Sequence, residues 1–233
     1  MIPKCSFVIP SYNSAAWLAH AVESALKQDY ANIEVVVVND GSTDSTNKLM
    51  TFLAEKDARI VYVNLEKNVG RSEARNIGNA KATGEYILVL DADDIAYPNR
   101  ATATVAKLKN ADFVNGSCDY IDAIGNLLGT HTADIFNREK SIKTKLNYMV
   151  HSTCAYRKEI AQRFGYFGDE SSRLGLDDWQ FQLEVAMSGA KMEIIPTVIG
   201  AYRDIKSGIS KVRDPKEVEA FKTAFMEAFK VVA

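Results

Sequence analysis

Two pairs of acidic residues in this chain have the spacing of working carboxylates. Asp91 and Asp93 are separated by one residue just after the apolar run Tyr86–Leu90. Two carboxylates at a strand end can present oxygens to Mg²⁺ or Mn²⁺ and leave other positions to substrate phosphates. Asp177 and Asp178 open an amphipathic segment after the turn Leu174-Gly175-Leu176, where a helix N-terminus favours an ionised acid. Arg71 and Arg75 lie four apart, so one helix face can offer both guanidinium groups to phosphate. Tyr12 and Asp40 fall in two further polar stretches, Pro10–Asn13 and Asn39–Asp44. Each also has a plainer reading, since turns and helix starts favour Asp, Asn, Gly and Ser anyway.

The elements that carry these residues follow from periodicity. Ser6–Ile9, Ile33–Val38, Arg59–Val63 and Tyr86–Leu90 are short runs of β-branched, aliphatic and aromatic residues. Val35–Val38 is apolar on both faces, as a parallel strand covered on both sides must be. Helical patterns lie between them: a stripe from Trp17 to Leu26 with Asn13 or Ser14 as N-cap, Thr43–Glu55, and Ser72–Ala82. This alternation predicts a doubly wound parallel sheet over residues 1–95. Further on, the sequence predicts a helix over Ala101–Leu108, a strand over Asp112–Ile121, a turn or hairpin over Ala123–Gly129 and a short strand over Thr153–Tyr156. Glu159–Phe164 reads as a helical turn, Asp177–Ser188 as a helix, Lys191–Ala201 as a strand and Pro215–Val231 as a closing helix, with Lys143–Val150 ambiguous.

In open α/β sheets ligands bind beyond the carboxyl ends of the strands. Four polar clusters fall at those ends here: Pro10–Asn13, Asn39–Asp44, Asn68–Arg71 and Asp91–Asp94. No Gly-x-Gly-x-x-Gly follows the first strand and no Walker A sequence occurs, so the usual phosphate cradles of dehydrogenases and P-loop enzymes are missing.

Composition narrows the class further. The chain has 233 residues with 28 Lys+Arg against 30 Asp+Glu, 47% hydrophobic and 25% charged, which is ordinary globular usage. A net charge of −2 argues against a nucleic-acid partner. The three cysteines show no paired spacing and read as buried thiols of a reducing compartment. Met1–Pro10 lacks a signal-peptide pattern and no apolar run reaches membrane-span length, so the expectation is a soluble, cytoplasmic protein.

The motifs VIPSYN (Val8–Asn13), VNDGSTD (Val38–Asp44), NVGRSEARNIG (Asn68–Gly78), GEYILVLDADD (Gly84–Asp94) and LDDW (Leu176–Trp179), in this order, resemble those of family 2 glycosyltransferases. The resemblance covers roughly residues 4–205. It implies a GT-A-like α/β fold in one domain, with a mostly parallel doubly wound sheet and a mixed, partly antiparallel C-terminal half. Residues 1–95 would bind nucleotide, 96–214 would form the acceptor and catalytic half, and 215–233 a terminal helix. By the same resemblance Pro10, Tyr12, Asp40, Arg71 and Arg75 line the nucleotide pocket, with Tyr12 stacking on the base and Asp40 accepting from its N–H. Asp91 touches ribose, Asp93 holds Mn²⁺ or Mg²⁺ across the diphosphate, and Asp178 is the catalytic base beside Asp177. His151 and Trp179 fall where an acceptor approaches.

The implied activity is metal-dependent, inverting transfer of a sugar from a nucleoside-diphosphate sugar, with UDP as the nucleotide. The acceptor would be a hydroxyl of a saccharide or lipid-linked saccharide, in polysaccharide or glycolipid synthesis. Rivals are a sugar-nucleotide-binding module without turnover and a nucleotidyltransferase. Two departures from the family pattern stand out: Asp177 replaces the usual Glu, and Ile205 replaces a His that follows Tyr-Arg, leaving Arg203 and Lys206 as sources of positive charge. The closing helix places Val218, Phe221, Phe225, Phe229 and Val232 on one face, which either packs on the domain or rests on the inner face of a membrane.

Overall fold

The computed structural model describes residues 2–134, 149–166, 170–205 and 214–230. The chain begins with β1 (Cys5–Ser11), α1 (Leu18–Leu26), β2 (Ile33–Asn39), α2 (Thr46–Lys56), β3 (Ile60–Asn64), α3 (Arg71–Lys81) and β4 (Tyr86–Val89). β2 pairs in parallel with both β1 and β3, and β1 also pairs in parallel with β4. The order β3-β2-β1-β4 reverses direction between β1 and β4, which opens a crevice at their carboxyl ends. β1 and β2 are buried along their whole length, so their backbone polar groups are satisfied only by the sheet. β3, at the edge, is half exposed. Leu18, Ala21, Val22 and Ala25 of α1 cover one face of the sheet. α3 covers the other, and a Cβ on Gly78 would stand 2.5 Å from Val8 Cγ1, so only glycine allows that approach.

The second half continues the same sheet in mixed sense. It contributes β5 (Ile95–Ala96), α4 (Arg100–Leu108), β6 (Phe113–Ile121), β7 (Leu127–His131), a 3₁₀ turn (His151–Thr153), β8 (Ala155–Arg157) and α5 (Lys158–Arg163). It ends with α6 (Glu170–Arg173), α7 (Asp177–Met187), β9 (Met192–Arg203) and α8 (Pro215–Lys230). β8 runs antiparallel to β4 and β6, whereas the long β9 runs parallel to β6 and antiparallel to β5. The expected parallel half and the mixed, partly antiparallel remainder are both present.

Local expectations fared less evenly. α1 starts at Leu18, not after Asn13, with the Ser14 carbonyl accepting from the Trp17 and Leu18 N–H groups. Asn13 instead takes a positive φ of 49°, and its amide oxygen accepts from the backbone N–H of Thr43 and Asp44. Asn tolerates that conformation, so it ties two loops together rather than capping a helix. The start of α2 shifts to Thr46, whose N–H is held by Asp44 Oδ1 at 2.9 Å. β5 is two residues long and left no periodic trace in the sequence. β7 is exposed over most of its length, which hides it from any search for a buried face. Most of Lys143–Val150 lies outside the described residues, as do Lys206, Val232 and the side chain of Phe229.

Candidate active site

The crevice between β1 and β4 opens into a cavity of about 870 Å³. Pro10, Tyr12, Asp40, Arg71, Arg75, Asp91, Asp93, His151, Asp177 and Asp178 all line it, although they come from six separate stretches of chain. Trp179 does not. Its ring packs under α8, 5.4 Å from Phe225, beside Leu183 and Met226. The acceptor role expected for Trp179 is therefore corrected: it faces the opposite side of α7 and anchors α8 in place. That contact also covers Phe221, Phe225 and Met226 of the terminal helix against the protein itself. Among the described residues, no helix is long and apolar enough to cross a membrane.

At the β1–β2 side Tyr12 is exposed to 49%, a free aromatic face at the rim. Asp40 is buried, and its two carboxylate oxygens accept from the N–H groups of Val69 (2.7 Å) and Gly70 (3.0 Å). The acid thus fixes the turn that launches α3 while facing the cavity. Gly41 makes this possible: φ is +64°, and a Cβ there would lie 2.5 Å from the Asn68 nitrogen.

The centre is an alternating array of arginines and acids. Asp177 is 1% exposed. Its Oδ2 accepts from Arg75 at 2.8 Å and from Ser72 Oγ at 3.2 Å, and its Oδ1 accepts from Arg71. Arg75 also donates to Asp91 Oδ1 at 2.7 Å and stacks over the Tyr166 ring at 5.5 Å. Burial is the largest influence on the carboxyls of Asp91 and Asp177 and raises them, but Arg75 and Arg71, with the hydrogen bonds they donate, together outweigh it and hold both below the usual range. Those same carboxylates overcome burial to keep Arg75 firmly protonated. Asp177, expected in the catalytic pair beside Asp178, is consequently a spoken-for ion-pair partner that positions Arg71 and Arg75. The arginines are less available to phosphate than their helix spacing implied.

Asp93 and Asp178 are the acids this array leaves over. Burial, and then the neighbouring Asp91 charge, push Asp93 up to about 6. Burial, and then Asp177, likewise raise Asp178 above the ordinary range. The helix N-terminus was expected to keep Asp178 readily ionised; its Oδ1 does accept the Trp179 N–H at 2.7 Å, yet desolvation wins. A carboxylate raised toward neutral pH is a better proton acceptor for a hydroxyl than one held low.

His151 is buried and locked. Its Nε2 meets Tyr166 Oη at 3.1 Å and its Nδ1 meets Gln182 Nε2 at 3.0 Å. Burial and the charge of Arg75 depress it to about 3, so it is neutral and has no nitrogen to spare for an acceptor. Arg203, expected to supply charge for phosphate, is also committed: Nε donates to the Asp93 carbonyl (2.7 Å), and Nη1 to the carbonyls of Asp122 (3.0 Å) and Ala123 (3.1 Å). It braces the Asp93 loop, and its N–H is held by Asp94 Oδ1 at 2.7 Å. Ile205 lines the cavity where the family pattern has a His. Sequence reasoning missed this bracing role of Arg203, and it missed the half-buried rings of Tyr120, His131 and Tyr202 on the cavity wall.

The family model described as Glycosyl transferase family 2 matches residues 6–165, more than half the chain. The chain belongs to glycosyl transferase family 2. Among curated relatives it is 32% identical over 188 residues to the succinoglycan biosynthesis protein ExoO of Rhizobium meliloti, covering 80% of this chain and 52% of that one. It is 37% identical over 124 residues to the glycosyltransferase GlyG of Streptococcus pneumoniae, covering 52% and 41%. The chain spans about half or less of the length of these relatives. Solved structures share the fold as well. S. aureus TarS 1–349 in complex with UDP superposes with a TM-score of 0.73 at 20% identity, covering 97% of this chain and 64% of that one. The mannosyltransferase PcManGT of Pyrobaculum calidifontis, in complex with GDP-Man and Mn²⁺, gives 0.70 at 21%, covering 100% and 65%.

The donor set in this family member suits a metal shared with substrate. Among the described residues no three His, Cys, Asp or Glu side chains come together as a cage. Asp93, like Asp178, faces the cavity with its carboxyl raised, and Mg²⁺ or Mn²⁺ commonly takes one or two carboxylates plus phosphate oxygens.

Proposed function

We propose that this chain carries the catalytic domain of an inverting glycosyltransferase. It takes a sugar from a nucleoside-diphosphate sugar, with UDP as the nucleotide, and passes it to a hydroxyl of a saccharide or lipid-linked saccharide in cytoplasmic polysaccharide or glycolipid synthesis. One observation carries the reading: within a single cavity Asp93 and Asp178 are raised while Asp91 and Asp177 are held low by Arg75 and Arg71. The nucleobase stacks on Tyr12 with Asp40 beside it, and Asp91 meets the ribose. Asp93 would hold Mn²⁺ or Mg²⁺, which neutralises charge building on the departing diphosphate. Asp178 takes the acceptor hydroxyl proton as that oxygen attacks the anomeric carbon opposite the leaving group. A single displacement with one base inverts configuration. The relatives support this reading through ExoO, named for succinoglycan biosynthesis, and the fold neighbours through their bound UDP and GDP-Man.

Ile205 favours a second reading, a sugar-nucleotide-binding module without turnover, because an apolar side chain lines the cavity at that position. Incubation with UDP- and GDP-sugars and Mn²⁺ decides between them. Acceptor-dependent release of nucleoside diphosphate, with an inverted anomeric configuration in the product, is the expected result. Binding without release supports the module, and pyrophosphate release points to a nucleotidyltransferase.

A further inference from the structure

The carboxyl edge of the sheet has two chemically different ends. Tyr12 and Asp40 lie beyond β1 and β2, and Asp91 and Asp93 beyond β4. Across β8, the parallel neighbours β6 and β9 place Tyr120 and Tyr202 opposite each other in register. Their rings meet edge to face at 5.6 Å and 81°. His131, from β7, meets Tyr120 at 6.3 Å and 70°. All three rings are half-buried and line the same cavity as Asp93 and Asp178. Trp17 stands at the rim, fixed by its Nε1–H to the Ala123 carbonyl at 3.3 Å.

Rings packed edge to face hold one another still, so a ligand stacking on them loses little further freedom. The wall is remote along the sheet edge from the base platform at Tyr12. It is also poorly suited to phosphate, because Arg71, Arg75 and Arg203, which line this cavity among the described residues, are bonded to carboxylates or carbonyls. A saccharide ring fits, since it offers apolar C–H faces to aromatic rings and hydroxyls to the acids beside them. We propose that Tyr120, Tyr202 and His131 form the platform on which a saccharide acceptor stacks, presenting its hydroxyl to Asp178. This rests on the glycosyl-transfer reading and commits the acceptor group to a sugar rather than a lipid phosphate or a peptide side chain.

The test uses the chain with Mn²⁺ and whichever of UDP and GDP raises its melting temperature. Methyl glycosides of glucose, galactose, mannose and N-acetylglucosamine are titrated in while tryptophan emission is followed. The chain has two tryptophans, and Trp179 is buried, so Trp17 is the reporter and Trp17→Phe must abolish the signal. At least one glycoside is expected to change the emission. Tyr120→Ala and Tyr202→Ala should each weaken that binding by about two- to tenfold, the worth of one aromatic contact. The Tyr→Phe variants should bind as wild type, and nucleotide affinity should hold in all four, which also reports their folding. The proposal is overturned if no glycoside acts, if glycerol acts as strongly, or if the alanine variants bind glycoside normally. It is equally overturned if the alanine variants lose affinity for the nucleotide sugar alone, since the platform would then hold the donor sugar. Failure of the parent reading shows separately, as wild-type protein that releases no nucleoside diphosphate from any nucleotide sugar.

Discussion

Replacing Asp178 by Asn separates chemistry from binding and from stability. The Oδ1 that accepts the Trp179 N–H at 2.7 Å survives in the amide, so the start of α7 keeps its bond. The lost property is proton acceptance. A positioned base is worth about 10²–10⁴-fold, or roughly 3–5 kcal/mol in the transition state, and kcat should fall by that factor. Donor affinity should hold, because Asp178 touches neither the Tyr12 end of the cavity nor the Asp177 ion pairs. Stability should move the other way. The Asp178 carboxyl is raised in the folded protein by burial and by Asp177, so the folded state binds its proton more tightly than the unfolded chain does. Ionising it costs stability as pH rises from the unfolded value of about 3.9 through the raised folded value. Asp178→Asn removes that cost, so the variant should melt higher than wild type at neutral pH and equal to it near pH 3. The acidic limb of the wild-type pH–rate profile should lie above the ordinary aspartate range and vanish in the variant. Steady-state transfer assays, nucleotide titrations and melting curves at two pH values measure all of this. Near wild-type kcat in Asp178→Asn would refute the assignment, and an unchanged acidic limb would place the base elsewhere; locked and neutral, His151 is no substitute.

Asp93→Asn should nearly abolish turnover and remove the Mn²⁺ dependence of donor binding, measured by calorimetry with and without EDTA; metal-dependent binding at wild-type strength would exclude Asp93 as the ligand. Tyr12→Ala should weaken nucleoside-diphosphate binding by about 1–3 kcal/mol if the exposed ring carries the base, and an unchanged dissociation constant removes it from the pocket. Asp177→Asn breaks buried pairs with Arg71 and Arg75, which costs about 3–5 kcal/mol of stability. By deleting a negative neighbour it should also shift the acidic limb set by Asp178 to lower pH. At the opposite end of the sheet, burial pushes Glu34 up, but bonds from Lys4 (2.6 Å), Ser6 (2.5 Å) and Thr83 (2.6 and 2.8 Å) bring it down to about 2. That depression contributes roughly 3 kcal/mol above pH 4.5 and is lost as pH falls toward 2, so Glu34→Gln should destabilise at pH 7 and match wild type near pH 2 in urea titrations.

The parts of the molecule legible in the sequence are those whose physics is local. Val35–Val38 could only be a doubly covered strand, and the polar clusters after β1, β2 and β4 had to fall on one edge once those strands were parallel. The ordered motifs added the family, and ten of the eleven expected site residues meet in one cavity. The misreadings of Trp179, β5 and Arg203 depend on partners distant in sequence. Trp179 looked like a cavity residue because it follows Asp178, yet a helix turns each side chain by a quarter of its circle or more, and Phe225 was waiting on the other side. β5 exists only because Gly200, whose Cβ would lie 2.6 Å from the Ile95 carbonyl, lets β9 approach. Arg203 looked available because nothing nearby in sequence hinted at three carbonyls gathering around it.

The same dependence on distant partners sets the chemistry. Asp91, Asp93, Asp177 and Asp178 are one residue type at two short spacings, and sequence alone gave each member of a pair much the same environment. What divides them is chiefly Arg75 of α3, with Arg71 of the same helix sharing Asp177. Arg75 reaches Asp91 with one guanidinium nitrogen and Asp177 with another, and by satisfying those two it leaves Asp93 and Asp178 each beside a fixed negative charge with no partner of equal strength. Neutralising all four would need either more arginines, which would fill the cavity, or fewer acids. The arrangement leaves one acid per pair unrelieved, and groups whose environments push their pKa values apart are the ones able to take different roles. On this logic Arg75 governs both halves of the proposed reaction without touching substrate: remove it, and Asp91 loses its bonded guanidinium while Asp177 keeps only Arg71 and Ser72, so both rise toward the acids they now keep distinct.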